Sequence, residues 1–185
     1  MEDEHLISQA KKGDLTAYGQ LIGKYSPVVE RFAYQMGHSY GDIPDIAQKV
    51  FLRVYRFLDG FSYAKFTSWL YKITLNVSRD FKRKEYQYFL KIRSIKKQAE
   101  QEAETPHGQL LKDEEDRMLH ECIQALDEKY RIPIILHYFH EKKYEEMADI
   151  LSIPLSTVKT RLLRGKNLLK KRLEQAEKRE GKRNG

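Results

Sequence analysis

Lys159, Thr160, Leu163 and Arg164 follow one another at one-, three- and one-residue steps, so a helix would carry all four on one side. Cations, a hydroxyl and an aliphatic side chain in that arrangement are the groups that meet base edges in a DNA major groove. Arg161 and Lys166 would flank that side, within reach of phosphates. The other side, Val158, Leu162, Gly165 and Leu169, repeats at three- and four-residue steps and reads as core. The wider stretch, Ser156 to Leu173, holds seven Lys or Arg and no acid.

A second polar stripe lies earlier in the chain. Lys72, Asn76, Arg79 and Arg83 stand at helical steps opposite an apolar stripe of Phe66, Leu70, Ile73, Val77 and Phe81. Between Phe51 and Phe89 lie 12 of the 21 aromatic residues, interleaved with Lys and Arg. Three cations and an amide beside aromatics suit single-stranded DNA, whose bases stack and whose phosphates pair. Taken alone, the simpler reading is an aromatic core with a solvated basic face.

The elements that must hold these stripes are helical almost throughout, with no alternating run of strand type. Leu15, Tyr18, Leu21, Ile22 and Tyr25 fall on one face after Asp14. Ser26 and Pro27 read as an N-cap and first helical position, with Gly37 as the stop. Pro44 opens a segment with Ile46, Val50, Val54, Phe57 and Phe61 at helical spacing. A turn around "LDGFSYAK" leads into a long helix from Phe66 towards Lys84 or beyond. "YEEMADILSIPLSTVKTRLL" has the layout of a helix-turn-helix: Met147, Ala148 and Leu151 face inward, "SIP" turns, and Ser156 caps the second helix. The expected fold is all-α, with two small helical domains, 1–93 and 113–179, a linker at 94–112 containing Pro106 and Gly108, and a basic tail at 180–185.

Composition bounds the function. The 185 residues carry 34 Lys or Arg against 27 Asp or Glu, a net charge of +7. The charge is blocked: eight bases against two acids in Arg79–Lys97, eight acids against two bases in Ala99–Glu121, and eleven bases against three acids in Ser156–Arg183. Two basic blocks suggest two anion-binding surfaces. One cysteine, Cys122, excludes an intrachain disulfide, and neither a signal peptide nor an 18-residue apolar run is visible, so the sequence reads as cytoplasmic. His120, Cys122, His137, His140 and Glu141 lie close in sequence, but His120 and Cys122 would diverge by about 200° on a helix. No Gly-rich phosphate loop or nucleophile–base pairing stands out. Neither an enzyme nor a bound metal or cofactor is expected.

Three segments together resemble the extracytoplasmic-function group of bacterial RNA polymerase sigma factors. "DIAQKVFLRVYR" resembles the family's core-polymerase-binding helix, which implies polymerase contacts for Asp45, Gln48, Leu52 and Arg56. "FTSWLYKITLNVSRDFKRK" resembles its promoter-melting helix, with Trp69, Leu70, Asn76, Asp80 and Arg83 at matching places. "LDEKYRIPIILHYFHEKKYEEMADILSIPLSTVKTRLLRGKNLL" resembles its C-terminal domain, where Thr157, Val158, Lys159, Arg161 and Arg164 match. The resemblance implies a promoter-specificity subunit without catalysis of its own. Its N-terminal domain would bind the clamp helices of the polymerase's largest subunit and the melted −10 element. There the loop "DGFSYAKF", with Phe61, Ser62, Tyr63 and Lys65, would capture a flipped base. Its C-terminal domain would bind the −35 element, through Ser156, Thr157, Lys159, Thr160, Arg161, Leu163, Arg164 and Lys166, and the flap of the second-largest subunit. It further implies an anti-sigma partner, often membrane-anchored. Lys49 departs from the family's usual Glu, Asp127 from its Pro, Ser156 from its Gly and Gly165 from its Ala. The alternative is a helix-turn-helix regulator that works without polymerase; it leaves the stripe and aromatics of the first domain unexplained.

Overall fold

The computed structural model describes residues 2–62, 65–95 and 114–183. Regular structure among them is helical: α1 Glu2–Lys11, α2 Leu15–Gln35, α3 Ile43–Phe57, α4 Phe66–Ile95, α5 Glu114–Gln124, α6 Glu128–Ile134, α7 Tyr144–Leu151 and α8 Leu155–Arg183. A π-helical turn, Ile135–Phe139, follows α6. The chain forms two compact units. The first holds α1–α4, up to residue 106 and apart from residues 35–37, and the second holds the rest. Most of the expected linker, Tyr63 and the last two residues lie outside the described residues. Residues 180–183 of the expected tail continue α8.

In the first unit, Leu21, Val29 and Ala33 of α2 pack with Ile46, Val50 and Val54 of α3 and Leu70 and Val77 of α4 in one core. Tyr18 of α2 donates its hydroxyl to the Phe51 carbonyl of α3 at 2.5 Å. Its pKa is pushed up to about 12 by burial. Asp14 accepts from the backbone N–H groups of Thr16 and Ala17 at 2.8 and 3.1 Å, which starts α2. Gly37 ends it at φ +88°, with the His38 N–H bonded back to the Ala33 carbonyl at 3.4 Å.

Three readings of the first unit are corrected. Pro27 does not open a helix but sits inside α2. Its missing N–H leaves the Gly23 carbonyl without a helical partner. Both residues are exposed, so water can serve that carbonyl, while Leu21, Tyr25, Val29 and Phe32 keep the buried seam continuous across the proline. Leu15, in the first turn, is 68% exposed. Phe57 is exposed too, and Phe61 lies beyond the end of α3, so the helical spacing extended to them does not describe a face.

In the second unit Asp127 caps α6, accepting from the Lys129 N–H at 3.1 Å, a role its short carboxylate fills where the resemblance led to a proline. Leu126, Ile134 and Leu162 form a small core with Leu169 against it. In α7 the fully buried residues are Met147 and Ile150, whereas Ala148 and Leu151 are half-buried. The inward face is therefore turned by one residue from the expected one. Ser152 closes α7 in the left-handed region at φ 54°. Ser156 does not cap α8. The helix starts at Leu155, and the Pro154 carbonyl accepts from the Thr157 and Val158 N–H groups at 3.0 and 3.1 Å.

Candidate nucleic-acid and polymerase interfaces

On α8, Val158 and Leu162 are 0% and 6% exposed and Gly165 is buried with them, as the spacing predicts. Gly165 is required by close approach rather than by backbone conformation. A Cβ there would stand 3.1 Å from both the Tyr130 carbonyl oxygen and Ile134 Cδ1. Outward from this seam, Ser156, Lys159, Thr160, Leu163, Arg164 and Lys166 are exposed, and Thr157 and Arg161 are half-buried. Leu163 is 63% exposed, costly for an aliphatic side chain in water and useful against a thymine methyl. Thr160 donates its hydroxyl to the Ser156 carbonyl at 2.9 Å, so it meets a partner with its methyl group and an acceptor oxygen. A crevice of about 320 Å³ lies beside this face, and Lys129 and Tyr130 of α6 line it together with Thr157, Arg161 and Arg164. Sequence periodicity missed Lys129 and Tyr130, because they come from another helix.

On α4, Lys72, Asn76, Arg79 and Arg83 are all exposed. Phe66, Leu70 and Val77 are buried, with Ile73 and Phe81 half-buried. The sequence missed a second buried flank: Tyr71, Thr74, Leu75 and Ser78. Thr74 is satisfied by donating to the Leu70 carbonyl at 2.8 Å, and Ser78 by its hydrogen bond with the buried His38. Arg83 is drawn aside by Asp80, at 3.2 Å, and Asp80 also accepts from Arg53 of α3 at 2.7 Å. The Arg53 hydrogen bond, with the nearby cations, holds the Asp80 carboxyl below its ordinary value.

In the loop before α4, Ser62 and Lys65 are exposed and Tyr63 is outside the described residues. Phe61 is only 8% exposed and belongs to the core: its ring stacks on Trp69 at 4.8 Å and meets Phe66 edge-on at 5.7 Å. Lys11 of α1 donates to the Phe61 carbonyl at 2.5 Å. Phe61 thus packs against the half-buried Trp69, with little of its own ring exposed.

Asp45, Gln48, Leu52 and Arg56 of α3 are all exposed along one side of the helix, with Leu52 62% exposed. Lys49 is exposed beside them with its ammonium 4.6 Å from the centre of the Phe81 ring. Among the described residues no group of three or more His, Cys, Asp or Glu is placed to hold a metal. None of their helices is long and apolar enough to cross a membrane. Burial raises the Cys122 thiol above its ordinary value.

The first unit thus carries an outward basic-amide stripe on α4, and the second carries a helix-turn-helix formed by α7 and α8. Family models for sigma-70 region 2 and sigma-70 region 4 match residues 21–87 and 116–169. The sigma factor SigW of Bacillus subtilis, an ECF RNA polymerase sigma factor, is 32% identical over 90% of this chain and 94% of its own length. The ECF sigma-E factor of Escherichia coli K12 is 27% identical over 94% of this chain and 95% of its own length. The chain belongs to the extracytoplasmic-function RNA polymerase sigma factors. Two solved structures share the fold. CnrH, in complex with the cytosolic domain of CnrY, has a TM-score of 0.71 at 23% identity, covering 94% of this chain and 98% of that one. The sigma factor RpoE of Bartonella quintana, in complex with the anti-sigma factor NepR, has a TM-score of 0.68 at 20% identity, covering 85% and 96%.

Proposed function

We propose that the two units divide promoter recognition by the state of the DNA. The first unit binds core RNA polymerase through Asp45, Gln48, Leu52 and Arg56, meeting the clamp helices of the largest subunit. It holds the separated −10 strand along Lys72, Asn76 and Arg79, with Ser62, Lys65 and Trp69 at one end and Arg83 at the other. The second unit reads the duplex −35 element with Lys159, Thr160, Leu163 and Arg164, takes phosphates with Arg161 and Lys166, and meets the flap of the second-largest subunit. Tyr63 belongs to the same loop by sequence, and Phe61 acts by supporting Trp69. Domains at 1–93 and 113–179 joined by a linker suit this division. The chain works in the cytoplasm, with no catalytic chemistry of its own, under an anti-sigma factor that is often membrane-anchored, a control extended from RpoE and NepR.

The observation that supports this reading is that the α4 stripe is exposed while Leu70, Tyr71, Thr74, Leu75, Val77 and Ser78 of the same helix are buried. Duplex binding by the second unit alone leaves that stripe without work. The test is run-off transcription with core polymerase on a promoter library. Transcripts that start at discrete sites only when the chain is present are expected. Sequence-specific DNA binding without core, and no transcripts with it, would favour the polymerase-independent regulator instead.

A further inference from the structure

Of the described side chains that line the crevice of about 320 Å³ in the second unit, three are cations and none is an acid. Arg161 and Arg164 come from α8, whereas Lys129 comes from the first turn of α6. Ser156, Thr157 and Tyr130 add hydroxyl donors, while the Thr160 hydroxyl is committed to the Ser156 carbonyl. The approach of the two helices is set at Gly165, where a Cβ would stand 3.1 Å from the Tyr130 carbonyl oxygen. That close contact carries Lys129 to the edge of the outward face of α8. Its ammonium lies 5.1 Å from the centre of the Tyr130 ring and 3.5 Å from the Asp127 carboxylate, which is not part of the crevice lining. The Asp127 and Lys129 side chains are 59% and 50% exposed, so their pairing is weak in water and yields to a stronger anion. Cations and hydroxyls that converge from two helices form a seat for an oxyanion.

We propose that this crevice clamps one backbone phosphate of duplex DNA, with Lys129 of α6 as a positioning residue that meets the backbone and no base. The proposal rests on the reading of α8 as the duplex-binding helix, and it adds α6 to that surface. Two observations select a phosphate of the duplex over a free phosphate ion. The crevice shares Thr157, Arg161 and Arg164 with the outward face of α8, so a strand lying along that face passes its mouth. Lys129 and Arg164 are also exposed, and exposed cations hold a lone ion weakly but add to contacts made along a polyanion. A phosphate gripped between α6 and α8 fixes the angle and register at which α8 enters the groove, without reading sequence itself. Lys129 and Arg161 take the phosphate charge, which leaves the Arg164 guanidinium to a base edge.

The experiment measures affinity of the full chain, assembled with core polymerase, for promoter duplexes with a matched or a scrambled upstream element across a salt series. Lys129→Ala should weaken binding roughly fivefold on both duplexes and flatten the salt dependence by about one counterion. Lys129→Arg, which keeps the charge, should restore most of the affinity. Circular dichroism checks that each variant is folded. A scan then replaces one backbone phosphate of the matched element at a time by an uncharged methylphosphonate. At one linkage wild type and Lys129→Ala should bind alike, because the charge that Lys129 meets is gone. A Lys129→Ala loss that persists on every substituted duplex, or one confined to the matched element, would overturn the clamp. So would Lys129→Ala binding like wild type while Arg164→Ala is weakened on the matched duplex, a result that leaves the reading of α8 standing. A wild-type chain with no preference for the matched duplex would overturn both.

Discussion

Helices α4 and α8 are of nearly equal length, 30 and 29 residues, and both carry a basic stripe outward. They are held in different ways. α4 buries Leu70, Tyr71, Thr74, Leu75, Val77 and Ser78, so the core wraps most of its circumference along that stretch. α8 buries one narrower seam, Val158, Leu162 and Gly165, with Leu155, Thr157, Arg161 and Leu169 half-buried beside it. The difference suits what we propose each helix meets. A helix entering a major groove must present much of its circumference to the groove walls. A platform for separated bases needs a single exposed edge that stays still while the strands part. The two surfaces share chemistry but not mechanical support.

The largest expected effect falls on the thinly held helix. Gly165→Val forces a branched side chain against Tyr130 and Ile134, and overpacking of this kind costs about 1–3 kcal/mol. Thermal melting of the full chain should show the loss in the second unit, together with weaker upstream binding. A bulky residue at exposed Asn76 of α4 should leave melting unchanged.

Next comes the split between base reading and charge on α8 itself. Arg164→Ala should cost about 1–3 kcal/mol on the matched upstream element and much less on a scrambled one. Lys171, exposed and two turns further on, should contribute by charge alone. Lys171→Ala should weaken both sequences alike and reduce the salt slope by about one counterion. Equal losses from Arg164→Ala on both sequences would make α8 a basic rod without readout.

The smallest effect is electrostatic and belongs to α4. The Asp80 carboxyl is depressed by its hydrogen bond from Arg53, so the pair stabilises the fold above the ordinary carboxylate range. That contribution disappears as pH falls through the lowered folded value. The groups are more than a third exposed, so solvent screening limits it to a few tenths of a kcal/mol, at most about 1. Urea midpoints of Asp80→Asn and wild type should differ slightly at pH 7 and converge as the pH falls below the lowered folded value of the carboxyl.

Much of this comparison was legible in the sequence. The α8 seam and both outward stripes follow from three- and four-residue steps, and Gly37 and Asp14 act through backbone chemistry that is local. What was not legible depended on distant partners. Pro27 carries a local signal for a helix start, yet a buried seam from Leu21 to Phe32 overrides it. Thr74 and Ser78 look solvent-facing until their hydrogen bonds, to Leu70 and His38, let them be buried. The inward turn of α7 onto Ile150 is set by what packs on it, and Lys49 meets Phe81 only because α3 and α4 pack together.

The division of labour between α4 and α8 is tested most directly by open-complex formation on two templates, a duplex promoter and one melted in advance across the downstream element. Asn76→Ala with Arg79→Ala should depress opening about tenfold or more on the duplex and recover substantially on the pre-melted template, because strand separation is no longer required. Arg164→Ala should be impaired on both, since the upstream element is duplex in each. Loss of the Asn76 and Arg79 variant to the same extent on both templates, with helicity and polymerase binding intact, would contradict the account.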